Sequence, residues 1–202
     1  MRHNSQKRIY FEGAEYFVTN NVKDRIKFFN EPIFCEIFVA ILRLAKIFYR
    51  FDLYAFIVLI EHFHLLFLPY EAKDLSKVMK YLKRHIARNI NFILGYTAEE
   101  AIGQSPLRLA GKYKKHQKEI EGINQLMKEL KQKFIKKYGQ NQNAFPKFRW
   151  QKSFRDHYIR NHKDFDEHVK YIYNNPFKHK IPDAENYKYI FTNYPELITD
   201  FN

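Results

Sequence analysis

The order of sequence patterns along this 202-residue chain predicts an α+β fold, an antiparallel sheet with helices on one face. Two observations carry that reading. Apolar and aromatic runs of strand length alternate with segments whose apolar residues recur every three or four positions, in the order strand, helix, strand, strand, helix, strand, helix. A lysine-rich segment over 95–147 interrupts this series and reads as a mainly helical insertion within a single domain spanning 1–202.

Each element has its own signal. Tyr16-Phe17-Val18-Thr19-Asn20-Asn21-Val22 is β-branched and aromatic, as a strand requires. From about residue 30 to Tyr49 a helix is predicted, because Ile33, Phe34, Ile37, Phe38, Ile41, Leu44, Ala45 and Phe48 fall on one stripe. Two strands follow, about Leu53 to Ile60 and His62 to Leu68, ending at Pro69. Their link is very tight: either a turn, or one continuous strand bent at Ile60-Glu61. Asp74 can cap the next helix. Its buried stripe is Leu75, Val78, Met79, Leu82, Ile86 and Ile90; Lys77, Lys80, Lys83, Arg84 and Arg88 occupy its other faces. Those cations read either as a solvated face or as a phosphate-binding one.

Within the insertion, Thr97 can start a short helix with Glu99 and Glu100 in its first turn. Gly103, Pro106 and Gly111 mark loops, and Lys112 to Tyr138 forms a long amphipathic helix that Gly122 weakens. Phe148 to Arg160 reads as extended. Asn161 then caps a final helix whose core stripe is Phe165, Val169, Ile172 and Tyr173, running to about Asn175, where Pro176 discourages continuation.

Composition narrows the function. The net charge of +13 and pI near 9.6 call for a polyanionic partner, nucleic acid first and an anionic membrane surface second. Twenty Phe and fifteen Tyr supply flat faces that single-stranded nucleic acid can use, although aromatics also serve packing. Cys35 is the one cysteine; it excludes an intrachain disulfide or a multi-thiolate metal site and fits a reducing cytoplasm. The polar start, Met1 to Lys7, leads into no signal core. Glu36, Arg43, Lys46, Arg50 and Asp52 interrupt the long apolar stretch, so no membrane span is expected there.

Two constellations carry chemistry. In Glu61-His62-Phe63-His64, strand alternation puts His62 and His64 on one face, roughly 7 Å apart, and Phe63 on the other. Paired neutral imidazoles suit a divalent metal; the plain alternative is two half-buried histidines bonded to carbonyls. By the same alternation Glu61 points away. On the final helix, Tyr171 lies off the core stripe and shares a polar side with Asp164, His168 and Asn175. Asn175 is four residues on and so adjacent to it. A phenol beside an amide oxygen is what a tyrosine nucleophile with a neighbouring metal ligand looks like; it is also what a surface tyrosine looks like. His157, beside Asp156, can face the site or hold DNA.

His62-Phe63-His64, the block Trp150 to Asn161, and Tyr171-Ile172-Tyr173-Asn174-Asn175-Pro176 together resemble the single-tyrosine HUH transposase superfamily, in particular its REP-associated branch. The resemblance covers most of residues 8–95 and 148–182. Ile60 stands where a proline often precedes the motif, and the insertion is longer than the family leads one to expect. The resemblance implies a ferredoxin-like core with both histidines on its sheet, Tyr171 as nucleophile, and Asn175 as the third ligand, with His62 and His64, of Mg²⁺ or Mn²⁺. It implies cleavage and rejoining of single-stranded, hairpin-containing DNA through a 5′-phosphotyrosine. Lys80, Lys83, Arg84 and Arg88 are the expected DNA-binding residues, and a cytoplasmic, nucleoid-associated location is expected. The alternative is a module that holds hairpin DNA or RNA without cutting it. Monomer and homodimer are both left open.

Overall fold

The structure is a computed structural model and describes residues 10–71, 73–97, 114–139 and 145–200. Its elements are β1 (Tyr16–Asn21), α1 (Pro32–Tyr49), β2 (Asp52–Leu59), β3 (His62–Leu68), α2 (Asp74–Ile93), α3 (Gln117–Tyr138), β4 (Arg155–Tyr158) and α4 (His162–Lys178). The four strands form one sheet in the order β2-β3-β1-β4, and every neighbouring pair is antiparallel. With α1 connecting β1 to β2 and α2 lying between β3 and β4, this is the ferredoxin-like α+β architecture.

Local chemistry explains the element ends. Glu31 accepts from the Ile33 N–H at 3.2 Å, and Pro32 takes the first helical position of α1, where no N–H is needed. Arg50 closes α1 in the left-handed region at φ 48°. Ile60 and Glu61 form a two-residue turn, so β2 and β3 are a hairpin and not one bent strand.

The sheet separates two apolar layers. Phe63, Leu65 and Phe67 of β3 point to the same side as Phe56 and Val58 of β2, and there meet α1 and α2. Ile120, Met127, Leu130 and Phe134 of α3 join this larger core. Glu31 further holds α3 through Lys137 Nζ at 2.8 Å and through the Tyr138 hydroxyl. The long helix of the insertion is therefore packed onto α1 and α2. The short helix expected at Thr97 and the loops marked by Gly103, Pro106 and Gly111 lie outside the described residues, apart from Thr97 itself.

The other face is smaller. Ala55, Ile57, Leu59 and Leu66 pack against Phe165 and Ile172 of α4 and against Ile190. One helix thus covers the face opposite α1, α2 and α3, where helices had been expected on a single face. The cause is visible in β2: Ala55-Phe56-Ile57-Val58-Leu59 is apolar without alternation and fully buried, the pattern of a strand covered on both sides. Past α4 the chain returns to the free edge of β2, where Val58 N–H donates to Tyr189 O at 3.0 Å and the Tyr187 hydroxyl donates to Val58 O. Capping that edge leaves β4 as the other one.

Candidate active site

Alternation along β3 points His62 and His64 at α4, on the side away from α1 and α2, while Phe63 enters the main core. The imidazole centroids are 4.9 Å apart. Both histidines are buried, and burial pushes both below the ordinary imidazole range, His62 to about 4 and His64 well below it, with His62, His179 and Lys178 acting on His64 in the same direction. They are therefore neutral at physiological pH, which is the metal-binding form.

Second contacts orient both rings. Glu61 Oε1 lies 3.2 Å from His62 Nδ1 and 3.3 Å from Arg25. A carboxylate only accepts, so Nδ1 of His62 donates and Nε2 presents its lone pair. Alternation had turned Glu61 away from the histidines. It sits in the turn, where the period-two rule does not apply, and its side chain folds back onto His62. Thr19 Oγ1 lies 2.7 Å from His64 Nδ1, across the β1–β3 register that pairs Thr19 with His64. Carboxylate and hydroxyl partners of this kind are how proteins fix the ligating nitrogen of a histidine.

Helix α4 brings the other half. Asn175 is fully buried, and its Nδ2 donates to Tyr171 O at 2.6 Å, fixing the amide with Oδ1 free. The helix continues past the expected stop, through Pro176 to Lys178. Burial on α4 centres on Ile172, with Phe165, Asn175 and Pro176 beside it. At 100° per residue, Tyr171 and Tyr173 then fall on opposite flanks of that centre. This corrects the placing of Tyr173 in the core stripe: it is 52% exposed, more than Tyr171 at 37%. The Tyr171 ring stands edge-on to His64 at 5.3 Å and to Phe17 at 5.7 Å, with Lys178 Nζ 4.8 Å from its centroid.

The donor set fits a divalent ion. Among the described residues, three buried polar side-chain atoms lack a hydrogen-bond partner, and two of them are His64 Nε2 and Asn175 Oδ1. A buried acceptor without a donor is costly, and a cation held between the facing elements β3 and α4 would satisfy both. Sequence reasoning did not single out Thr19, Phe17, Lys178 or His179, whose ring lies 5.2 Å from His62. Position 19 on the His64 face of a neighbouring strand was the available signal for Thr19, but only the register shows it.

The cations of α2 lie in another layer. Lys80 and Arg84 are exposed and Arg88 is half-buried. Lys83 Nζ donates to Gln151 O at 2.8 Å and bonds Lys152 O, so it braces the segment before β4. Lys80, Lys83, Arg84, Lys152, Ser76, Ser153 and Phe154 line a cleft of about 400 Å³ beside that segment. Lys80, Lys83, Arg84 and Arg88, being on α2, are separated by the sheet from the face that carries His62, His64 and Tyr171.

The sheet is ferredoxin-like and carries paired histidines opposite a helix that bears a tyrosine and an asparagine. A family model described as "Transposase IS200 like" matches residues 11–104. The fold is similar to that of a REP-associated tyrosine transposase bound to a REP hairpin, with a TM-score of 0.57 and 21% identity over 98% of this chain and 95% of that one. No curated protein matches the chain significantly. Residues 11–104 are thus similar to the IS200-like transposases, and the fold is similar to that of the REP-associated tyrosine transposase. The matched segment contains both histidines and ends before α4. Among the described residues, no helix is long and apolar enough to cross a membrane.

Proposed function

We propose that the protein is a metal-dependent single-stranded DNA transesterase, cleaving and rejoining hairpin-containing DNA through a 5′-phosphotyrosine on Tyr171. The observation that carries this reading is a pair of unpartnered buried acceptors, His64 Nε2 and Asn175 Oδ1, on the facing elements β3 and α4, with a half-exposed phenol packed on His64.

In this reading His62 Nε2, His64 Nε2 and Asn175 Oδ1 hold Mg²⁺ or Mn²⁺, the imidazoles favouring Mn²⁺. The bound ion supplies Lewis-acid polarisation of the scissile phosphate. Tyr171 Oη attacks phosphorus in line with the 3′ oxygen. The phenol proton passes to water, the new Oη–P bond forms, the P–O3′ bond breaks, and the 3′ oxygen departs with the electron pair and takes a proton from water. Phosphodiester energy is kept in the tyrosyl ester, so a second 3′-hydroxyl can rejoin by the reverse step. Glu61 and Thr19 keep the imidazoles oriented. Lys178, over the Tyr171 ring, adds positive charge where the phosphate arrives. The related protein's REP hairpin and the +13 charge make hairpin DNA the substrate of choice, with Lys80, Arg84 and Arg88 taking phosphates away from the cut and Lys83 fixing the cleft wall.

A labelled hairpin oligonucleotide incubated with Mn²⁺ tests this. The expected result is a denaturation-resistant protein–DNA adduct that is abolished by chelator and by His64→Ala. DNA that is shifted in a native gel but never cut would instead make the chain a hairpin-binding module.

A further inference from the structure

A second cluster sits one turn before Tyr171. His157 of β4 and Asp164 and His168 of α4 place three ligand-type atoms within 4.8 Å of one another. The two rings are stacked, with centroids 4.9 Å apart. The two oxygens of Asp164 have different company. Oδ2 takes the Arg160 N–H and Nε, both at 3.0 Å, and His157 Nε2 at 3.0 Å. Oδ1 faces the imidazoles alone, with His157 Nε2 at 3.2 Å and His168 Nδ1 at 3.2 Å. Those separations lie within hydrogen-bonding range and also have a second reading. They match ligands around a small tetrahedral ion, where bonds of about 2.0–2.1 Å put neighbouring ligand atoms roughly 3.3 Å apart.

We propose that His157, Asp164 and His168 form a second cation site, separate from His62 and His64, that takes a first-row transition ion such as Zn²⁺. Two imidazoles and one carboxylate are the donor set of zinc and related ions; magnesium prefers an all-oxygen shell. The site is ready for a ligand. Burial alone would raise the Asp164 carboxyl, but Arg160 and His157 outweigh it and hold the group well below the usual carboxylate range. Asp164 is buried while the His157 side chain is 39% exposed, which gives an ion an entry path. Arg160 and the Asn161 cap on the Asp164 N–H, at 2.9 Å, supply the outer contacts that fix a ligating carboxylate. Binding displaces the imidazole protons. His168 Nδ1 then gives up its 2.7 Å contact with Asp164 O, a carbonyl that the next helical turn also serves. The ion would rivet edge strand β4 to the first turns of the helix that carries Tyr171.

The test is zinc titration of the full chain by calorimetry, with His62→Ala/His64→Ala silencing the first site. One zinc equivalent should remain and should resist excess Mg²⁺. Adding His157→Gln or His168→Gln should weaken it at least tenfold, with Co²⁺ absorption in the visible appearing in the parent and lost in the variants. His157 is half-exposed on an edge strand, so His157→Gln keeps the test valid if His168→Gln does not fold. A silenced parent that binds no zinc, or Gln variants that bind as tightly as the parent, would mean the cluster is only a hydrogen-bonded brace. Neither outcome depends on DNA cleavage, so this proposal and the transesterase reading fail separately.

Discussion

The two faces of the sheet are built from the same strands but do different work. Toward α1, α2 and α3 the sheet presents Phe56, Phe63 and Phe67 to a broad aromatic core. Toward α4 it presents small and medium residues, Ala55, Ile57, Leu59 and Leu66, and then two histidines. The first face stores stability. The second spends part of its area on polar atoms that hydrogen bonding inside the protein leaves unsatisfied. Strand alternation makes this possible, because one residue step in β3 separates Phe63 in the core from His64 at the site.

Matched truncations give the sharpest break in this comparison. Phe63→Ala should cost about 3–5 kcal/mol and Ile172→Ala about 2–5 kcal/mol in denaturant unfolding. Their effects on cleavage should diverge under conditions where both variants remain folded. Ile172→Ala loosens the helix that carries Tyr171 and Asn175 and should slow adduct formation well beyond its effect on the folded fraction. Phe63→Ala should track the folded fraction. Parallel losses of activity would erase the distinction between the faces.

The next effect is acid sensitivity. His62, lowered to about 4, and His64, lowered well below its ordinary range, are neutral when folded, whereas an unfolded imidazole titrates near 6.5. The unfolded state thus binds protons first, and the stability is fully present above about pH 6.5 and falls as pH drops toward 4. His62 alone contributes up to about 3 kcal/mol over that window. Buried His85 of α2, also lowered to about 4 by burial and then by Arg84 and Arg88, adds a loss on the other face. His62→Gln should flatten the unfolding free energy between pH 6.5 and 4 if the account is right; an unchanged slope would contradict it.

Smaller still is the contribution of the α2 cations. Binding to hairpin DNA should weaken by orders of magnitude between about 50 and 200 mM salt. Lys80→Glu with Arg84→Glu should reduce the logarithmic salt slope by about 2, measured by fluorescence anisotropy. An unchanged slope would return that helix face to solvent. Smallest is Tyr173→Phe, which removes an exposed hydroxyl and should shift stability by less than about 0.5 kcal/mol and leave cleavage intact.

Much of this was legible in the sequence, and the gaps have physical reasons. Periodicity marked α1, α2, the strands and the pair His62 and His64 because these segments bury one continuous stripe or face. It could not say which side of the sheet a helix would take; α4 required the unbroken apolar run of β2 as a clue. Glu61 was misplaced because a two-residue turn suspends strand alternation. Tyr173 was misplaced because its stripe was centred one position too far along α4. Pro176 did not end the helix. The grouping of His157, Asp164 and His168 depends on β4 meeting α4, a tertiary contact that no local pattern encodes.

The central claim is that the histidine face and α4 together make Tyr171 the nucleophile. Peptide mapping by mass spectrometry of the adduct trapped with hairpin DNA and Mn²⁺ tests it most directly. The account predicts a nucleotide on Tyr171 and no adduct from Tyr171→Phe, with the fold and DNA binding retained. A nucleotide on Tyr173, or on a tyrosine outside α4, would contradict it.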